Sequence, residues 1–206
     1  GQTLLFLEPG PAGKAGKLAL RASRALDFDA TALAVAPDGR IFLSDGLRVR
    51  SLTATGEALG QWELPAGSAP VPCLAADKNH LYVACSQPKA VLVYTLDGER
   101  DGRLEARPDQ DFLVPGTHFP LTATSDGATA VNPGRRGLQF FTSLGQQTAG
   151  WARSGPDWAD FQGCCNPITI AALPVAGGED RIVTAEKGMA RVKIVDRTGR
   201  LWAVLE

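Results

Sequence analysis

One phrase recurs four times along this chain, and it restricts the fold more than anything else in the sequence. It first reads ALAVA, Pro37-Asp38-Gly39, IFLSD, Gly46, VRSL, Thr55-Gly56, ALGQWEL. The runs are short and apolar, and the corners carry Asp-Gly or Thr-Gly, the composition of tight turns between antiparallel strands. The phrase therefore predicts a meander of four strands. It returns from Cys73 (CLAAD, HLYVACS, VLVYTL, Asp97-Gly98), from Phe119 (FPLTATS, Asp126-Gly127, LQFFTS, Leu144-Gly145) and from Asn166 (NPITIAALP, Gly177-Gly178, DRIVTAE, RVKIVD, Thr198-Gly199). First turn to second turn is 17 residues from Gly39 to Gly56 and 18 from Gly127 to Gly145. Four-stranded repeats of about 40 to 50 residues are the pattern of propeller blades, whose small sheets bury their faces against one another around an axis.

The expected fold is thus all-β, a β-propeller of four-stranded antiparallel blades forming one domain over 1–206, with repeats at about 32–65, 73–106, 119–152 and 166–205. Residues 1–30 read as two N-terminal strands, TLLFLEP and LALRASRALDF, with a short helix over Lys17 to Leu26 as the alternative. This region is expected to complete a further blade or to close the ring, lending an outer strand to the blade that ends at Leu205. At 206 residues and 44% apolar the chain has material for a substantial core. The 21 basic and 22 acidic residues nearly cancel and form no block of like charge, which argues against nucleic acid as a partner. No apolar run approaches the roughly 18 residues of a bilayer span. An even number of cysteines and a start at Gly1 rather than Met favour a processed chain in an extracytoplasmic setting, periplasmic or secreted.

The phrases AVAPDGRIFLSDG and NPITIAALP…GGEDRIVTAEKGMARVKIVDRTGRL resemble NHL-repeat β-propellers across Ala32 to Leu205. The segment GCCNP followed by TAEKGMARVKI is similar to a bacterial NHL-like subfamily of unassigned activity. That resemblance implies a propeller and a binding role, and it carries over no catalytic residue. Propellers of this family commonly close with about six blades. Four clear phrases therefore imply a small ring, or one completed by a partner.

Cys164 and Cys165 head the candidate site residues. Neighbouring Cα atoms lie about 3.8 Å apart across a trans peptide, short of the roughly 4.4 to 6.8 Å usual for a disulfide. A bond between them would be strained and easily reduced, which suits a redox switch. Alternatively one of these thiols pairs with Cys73 or Cys85, and a local Cys73–Cys85 bridge is a further option, since four cysteines allow three connectivities. Structural packing beside the Asn166-Pro167 corner is the plainer reading. No cofactor is expected; a soft metal ion or cluster at Cys164 and Cys165 is the alternative.

Glu186, Lys187, Arg191 and Lys193 form a second group. Arg191 and Lys193 share one face of a strand by its period of two, so they offer a fork of donors to a carboxylate or phosphate. The competing reading is a cross-strand salt bridge on a solvated face. Asp45 holds the place in its blade that Glu186 holds in the last, and a ring of such carboxylates would line the channel and take a cation. His118 sits in the linker Arg107–His118 as a possible base without a local partner. Of the tryptophans, Trp62 and Trp202 are assigned matching core positions, Trp151 an outer strand, and Trp158 an interface.

These readings favour a non-catalytic binding or scaffold propeller, an accessory subunit with a protein partner. The alternatives are a propeller enzyme, a metal-dependent hydrolase or lyase acting at the axial channel, and a thiol redox or metal-binding protein using Cys164 and Cys165.

Overall fold

A computed structural model describes residues 2–9, 18–87, 89–104, 112, 119–132, 135–163, 166–187 and 191–205. The chain divides into two compact units, Gly1–Ala30 and Thr31–Glu206. The first unit is an antiparallel hairpin of β1 (Thr3–Pro9) and β2 (Leu18–Ala25), the two strands read from the sequence, and the alternative helix over the second segment does not form. Leu26 N donates to Gln2 O, and Ala30 N to Gln2 Oε1, tying off the unit's end.

Among its described residues the second unit holds four four-stranded antiparallel sheets, one per phrase. Blade 1 comprises β3 (Ala32–Val35), β4 (Ile41–Ser44), β5 (Arg48–Leu52) and β6 (Ala58–Glu63). Blade 2 comprises β7 (Cys73–Ala76), β8 (His80–Cys85), β9 (Ala90–Thr95) and β10 (Arg100–Leu104). Blade 3 comprises β11 (Leu121–Thr124), β12 (Gly127–Asn132), β13 (Gly137–Phe141) and β14 (Gln147–Ala152). Blade 4 comprises β15 (Thr169–Leu173), β16 (Arg181–Ala185), β17 (Val192–Val195) and β18 (Leu201–Leu205). Blade 4 therefore supplies its own outer strand. The outer strand expected from the N-terminus is not borrowed, because β1 and β2 pair with each other in a separate sheet.

Alternation along each strand sends side chains to both faces, and successive blades bury those faces together. Phe42, Val49 and Trp62 of blade 1 pack with Leu74, Val83 and Tyr94 of blade 2. Tyr82, Val91 and Leu104 pack with Leu121, Ala130 and Phe141 across the next seam. Val131, Leu138, Phe140 and Trp151 meet Ile170, Ile182 and Val195 across the last. Phe112 and Phe161, from stretches whose composition reads as linker, are 3% and 0% exposed, Phe112 packing in the seam of blades 2 and 3 and Phe161 stacking on Trp151. Two turn glycines are required by the seams themselves. Gly98 (φ +93) and Gly199 (φ +82) adopt left-handed backbone, and an added Cβ would come within 2.6 Å of Trp62 and 2.9 Å of Trp151 respectively.

Ion pairs repeat across the seams as well. Arg40 in the first turn of blade 1 reaches Asp97 in the last turn of blade 2 at 2.8 Å. Asp126 in the first turn of blade 3 meets Arg197 in the last turn of blade 4 at 2.6 Å, the same clasp with the charges exchanged.

Candidate functional site

The linker from blade 3 to blade 4 is knotted onto the end of β16. Glu186 follows that strand, and its backbone N–H donates to Arg191 O at 2.9 Å, closing the loop. Its carboxylate meets Lys193 Nζ at 2.6 Å, with both side chains fully buried, and accepts from Gln162 N at 3.1 Å. Lys193 also donates to Asp160 O and lies 5.1 Å from the Phe161 ring centre. Phe161 stacks on Trp151 at 5.5 Å. Asn166 donates through Nδ2 to Lys187 O (3.0 Å) and to Gln162 O, and its Oδ1 accepts from Lys187 N (2.9 Å). Arg191, 4% exposed, holds its guanidinium 4.7 Å from the half-exposed Trp158 ring.

Asn166, Glu186, Lys187, Arg191, Lys193 and Trp158, chosen from sequence, thus meet in one assembly. Sequence reasoning missed Asp160, Phe161 and Gln162, although an aromatic residue within an otherwise polar Pro-Asp-rich linker was a usable signal. The assembly differs from the expectation in one respect: the Lys193–Glu186 pair is buried between a linker and a sheet, not spread on a solvated face, so the Lys193 ammonium is spent on internal acceptors. Cys164, Cys165 and His118 lie outside the described residues.

Asp45 is likewise spent locally. Its Oδ1 accepts from Leu47 N and Arg48 N at 2.9 Å each, and Oδ2 lies 3.3 Å from Arg48 Nε. A channel-lining ring of carboxylates is therefore not formed by Asp45 and Glu186, and neither borders the channel mouth. Among the described residues no group of three or more His, Cys, Asp and Glu is arranged to hold a metal. Cys73 and Cys85 are both free thiols. Cys73 pairs with Ala84 on the face toward blade 3, while Cys85, one residue on, faces blade 1. The period of two turns the two sulfurs to opposite sides of the sheet, which excludes the local bridge. Burial raises the Cys73 thiol and pushes Cys85 up to about 11, so neither is a ready thiolate near neutrality.

The inner strands β3, β7, β11 and β15 surround a mouth of about 690 Å³. Small side chains such as Ala34, Ala75, Ala123 and Ala171 border it. Asp77 stands on its rim and accepts from Asn79 N (2.7 Å), His80 N (2.7 Å) and Tyr82 Oη (2.8 Å). His80 lies between two carboxylates, with Nε2 3.2 Å from Asp101 and Nδ1, without a hydrogen-bond partner, 3.5 Å from Asp77. Burial, reinforced by Asp77, drives the Tyr82 phenol well above its usual range. Asp180, also on the rim, accepts from Ser125 N at 2.7 Å and so links blades 4 and 3. The ADKNHLY segment that builds this cluster drew no attention as sequence, because its spacing follows the common turn of every blade.

Blade 4 turns its remaining face outward. Residues Ala185, Val192 and Leu205 are aligned as Val131, Leu138 and Trp151 are in blade 3, and Val183, Ile194 and Ala203 as Thr129, Phe140 and Ala149. Leu138 and Phe140 are 0% and 4% exposed, whereas their counterparts Val192 and Ile194 are only partly buried, and on the same face Leu205 is 64% and Leu173 38% exposed. Trp202 does not match Trp62 as core. It falls in the β17–β18 irregularity, is 46% exposed, donates to Asp196 (3.1 Å) and lies under the Arg181 guanidinium at 3.7 Å.

The architecture is shared with solved structures. A streptogramin B lyase matches with a TM-score of 0.60 at 15% identity, over 86% of this chain and 55% of that one. Virginiamycin B lyase from Staphylococcus aureus matches with a TM-score of 0.60 at 17% identity, over 93% of this chain and 60% of that one. A functionally unknown protein from Desulfotomaculum acetoxidans matches with a TM-score of 0.59 at 16% identity, over 99% and 62%. The fold is that of a β-propeller. No protein-family model matches the chain, and no curated protein matches it. The chain spans less than two thirds of these neighbours' length, and identities this low speak for the fold alone. Such propellers include enzymes as well as proteins of unknown function. No helix of the described residues is long and apolar enough to cross a membrane.

Proposed function

We propose that the chain is a non-catalytic binding module, an accessory propeller in a larger assembly, and that a protein partner packs on the outer face of blade 4. One observation carries this reading: the residue pattern that is buried between blades 1 and 2 and between blades 3 and 4 is exposed at Leu173 and Leu205. A contiguous aliphatic sheet face rimmed by polar groups marks an interaction surface. Its chemistry suits another β-sheet with an apolar face, since that is what covers the same pattern in the earlier blades. The NHL-like character of the repeats and an extracytoplasmic setting belong to this proposal.

A photo-crosslinking residue at Ala203 tests it. Crosslinks to another polypeptide are expected, and Ile194→Lys with Leu205→Lys should abolish them at unchanged melting temperature. A monodisperse monomer that turns over a substrate overturns it.

A second reading, an enzyme acting at the axial mouth, draws on the Asp77–His80–Asp101–Tyr82 cluster beside the 690 Å³ cleft. It predicts turnover lost in Asp77→Asn with the fold retained. Thiol chemistry at Cys164 and Cys165 predicts a reduction potential that shifts when either is replaced by Ser.

A further inference from the structure

A second cleft, of about 140 Å³, opens on the outer half of blade 3, away from the axial mouth and from the exposed face of blade 4. Gln139 in β13 lines it at 5% exposure, and its Oε1 has no hydrogen-bond partner. A buried amide oxygen left unpaired is costly enough that native structures rarely keep one without a reason. Gly150 lies opposite Gln139 on β14. A Cβ there would sit 3.0 Å from Gln147 Nε2 and 3.6 Å from Gln139 Cγ. The missing side chain at Gly150 is therefore what leaves room between the two amides. Arg135 borders the same cleft, and its backbone N–H donates to Asn132 O at 2.9 Å.

The cleft thus brings together an orphaned amide oxygen, an arginine and a side-chain-free floor. We propose that it binds a small primary carboxamide, whose NH₂ donates to Gln139 and whose C=O accepts from Arg135. The class follows from complementarity. A carboxylate only accepts and an ammonium only donates, whereas a carboxamide does both, as an acceptor at Gln139 Oε1 and donors at Arg135 together require. The volume admits a group of a few heavy atoms and excludes a bulky ligand.

The test uses the intact chain labelled with ¹⁵N, following the side-chain NH₂ of Gln147, which also borders the cleft. Acetamide should shift this resonance saturably, and acetate or methylammonium should not. Gly150→Ala fills the floor without meeting backbone closer than 3.4 Å, and Gln139→Met removes the amide. Each should weaken the acetamide response by about tenfold or more, the loss expected when a buried polar partner is removed, with melting temperature kept within a few degrees. Free L-asparagine and the peptide Gly-Asn-Gly compare a metabolite with a polypeptide side chain as the source, and saturable binding of either supports the site. No saturable shift with any carboxamide, meaning that the cleft holds solvent only, or an undiminished response in Gln139→Met, overturns it.

Discussion

Blades 1 and 4 carry the same pattern on the face that looks toward the next blade, yet one is packed and the other open. Six residues after the turn glycine of each blade comes a large apolar side chain: Trp62 after Gly56, Leu104 after Gly98, Trp151 after Gly145 and Leu205 after Gly199. In blade 1 the ring of Trp62 meets Phe42 at 6.3 Å and Tyr94 at 6.1 Å, and lies against Gly98 of the following blade. In blade 4 the same position is Leu205, 64% exposed. The difference teaches that alternation specifies which residues are available for burial, while the neighbour specifies which are buried. It also corrects the pairing of Trp62 with Trp202, which stands only three residues after Gly199.

The contrast between the closed and open faces of blade 4 can be broken most severely from its closed side. Lys193→Met leaves Glu186 in the seam without its paired ammonium, and should cost about 3–5 kcal/mol in urea unfolding. Adding Glu186→Leu should recover most of that loss, because the uncompensated charge disappears with it. Trp62→Ala should cost about 3 kcal/mol by emptying a packed seam, whereas Leu205→Ala should change stability by no more than about 0.5 kcal/mol. Equal losses at the two positions would remove the distinction between the faces. Gly199→Ala should cost about 1–3 kcal/mol, combining left-handed backbone with a Cβ pressed on Trp151.

The smallest expected effect is on acid stability. In blade 1, the backbone N–H of Arg40 leads the interactions that hold the Asp38 carboxyl below its usual range, outweighing a smaller opposing push from burial. In blade 4, burial pushes Asp196 up, but donors from Thr198, Arg200 and Trp202 together outweigh it and leave it lowered. A carboxyl whose folded pKa lies below its unfolded value contributes stability that is fully present above the unfolded value, about 3.9, and is lost as pH falls through the folded one. Asp38→Asn and Asp196→Asn should therefore flatten the fall in melting temperature below about pH 4 and leave its slope near neutrality unchanged.

Much of the candidate assembly on blade 4 was legible in residue types. Asn166, Glu186 and Lys193 stood out because charged and amide groups flanked apolar strands. Their burial did not, because it depends on Phe161 and Gln162 arriving from a linker whose composition reads as surface. The cluster around His80 was hidden for the opposite reason: its residues occupy an ordinary turn, and only folding brings Asp101 from β10 beside the ring. Gln139 and Gly150 are unremarkable along the chain and become a cleft only because β13 and β14 set them face to face.

The sequence by itself determined the repeat, the strands, the glycine corners and the four-stranded blades, because period-two burial and turn stereochemistry act over a few residues. Only the tertiary structure decided which faces are closed, where the two cysteines of blade 2 point, that the charges of blade 4 are spent on one another, and that β1 and β2 form a hairpin of their own. Those outcomes depend on what packs against a strand from elsewhere in the chain, and local sequence carries no record of its neighbours.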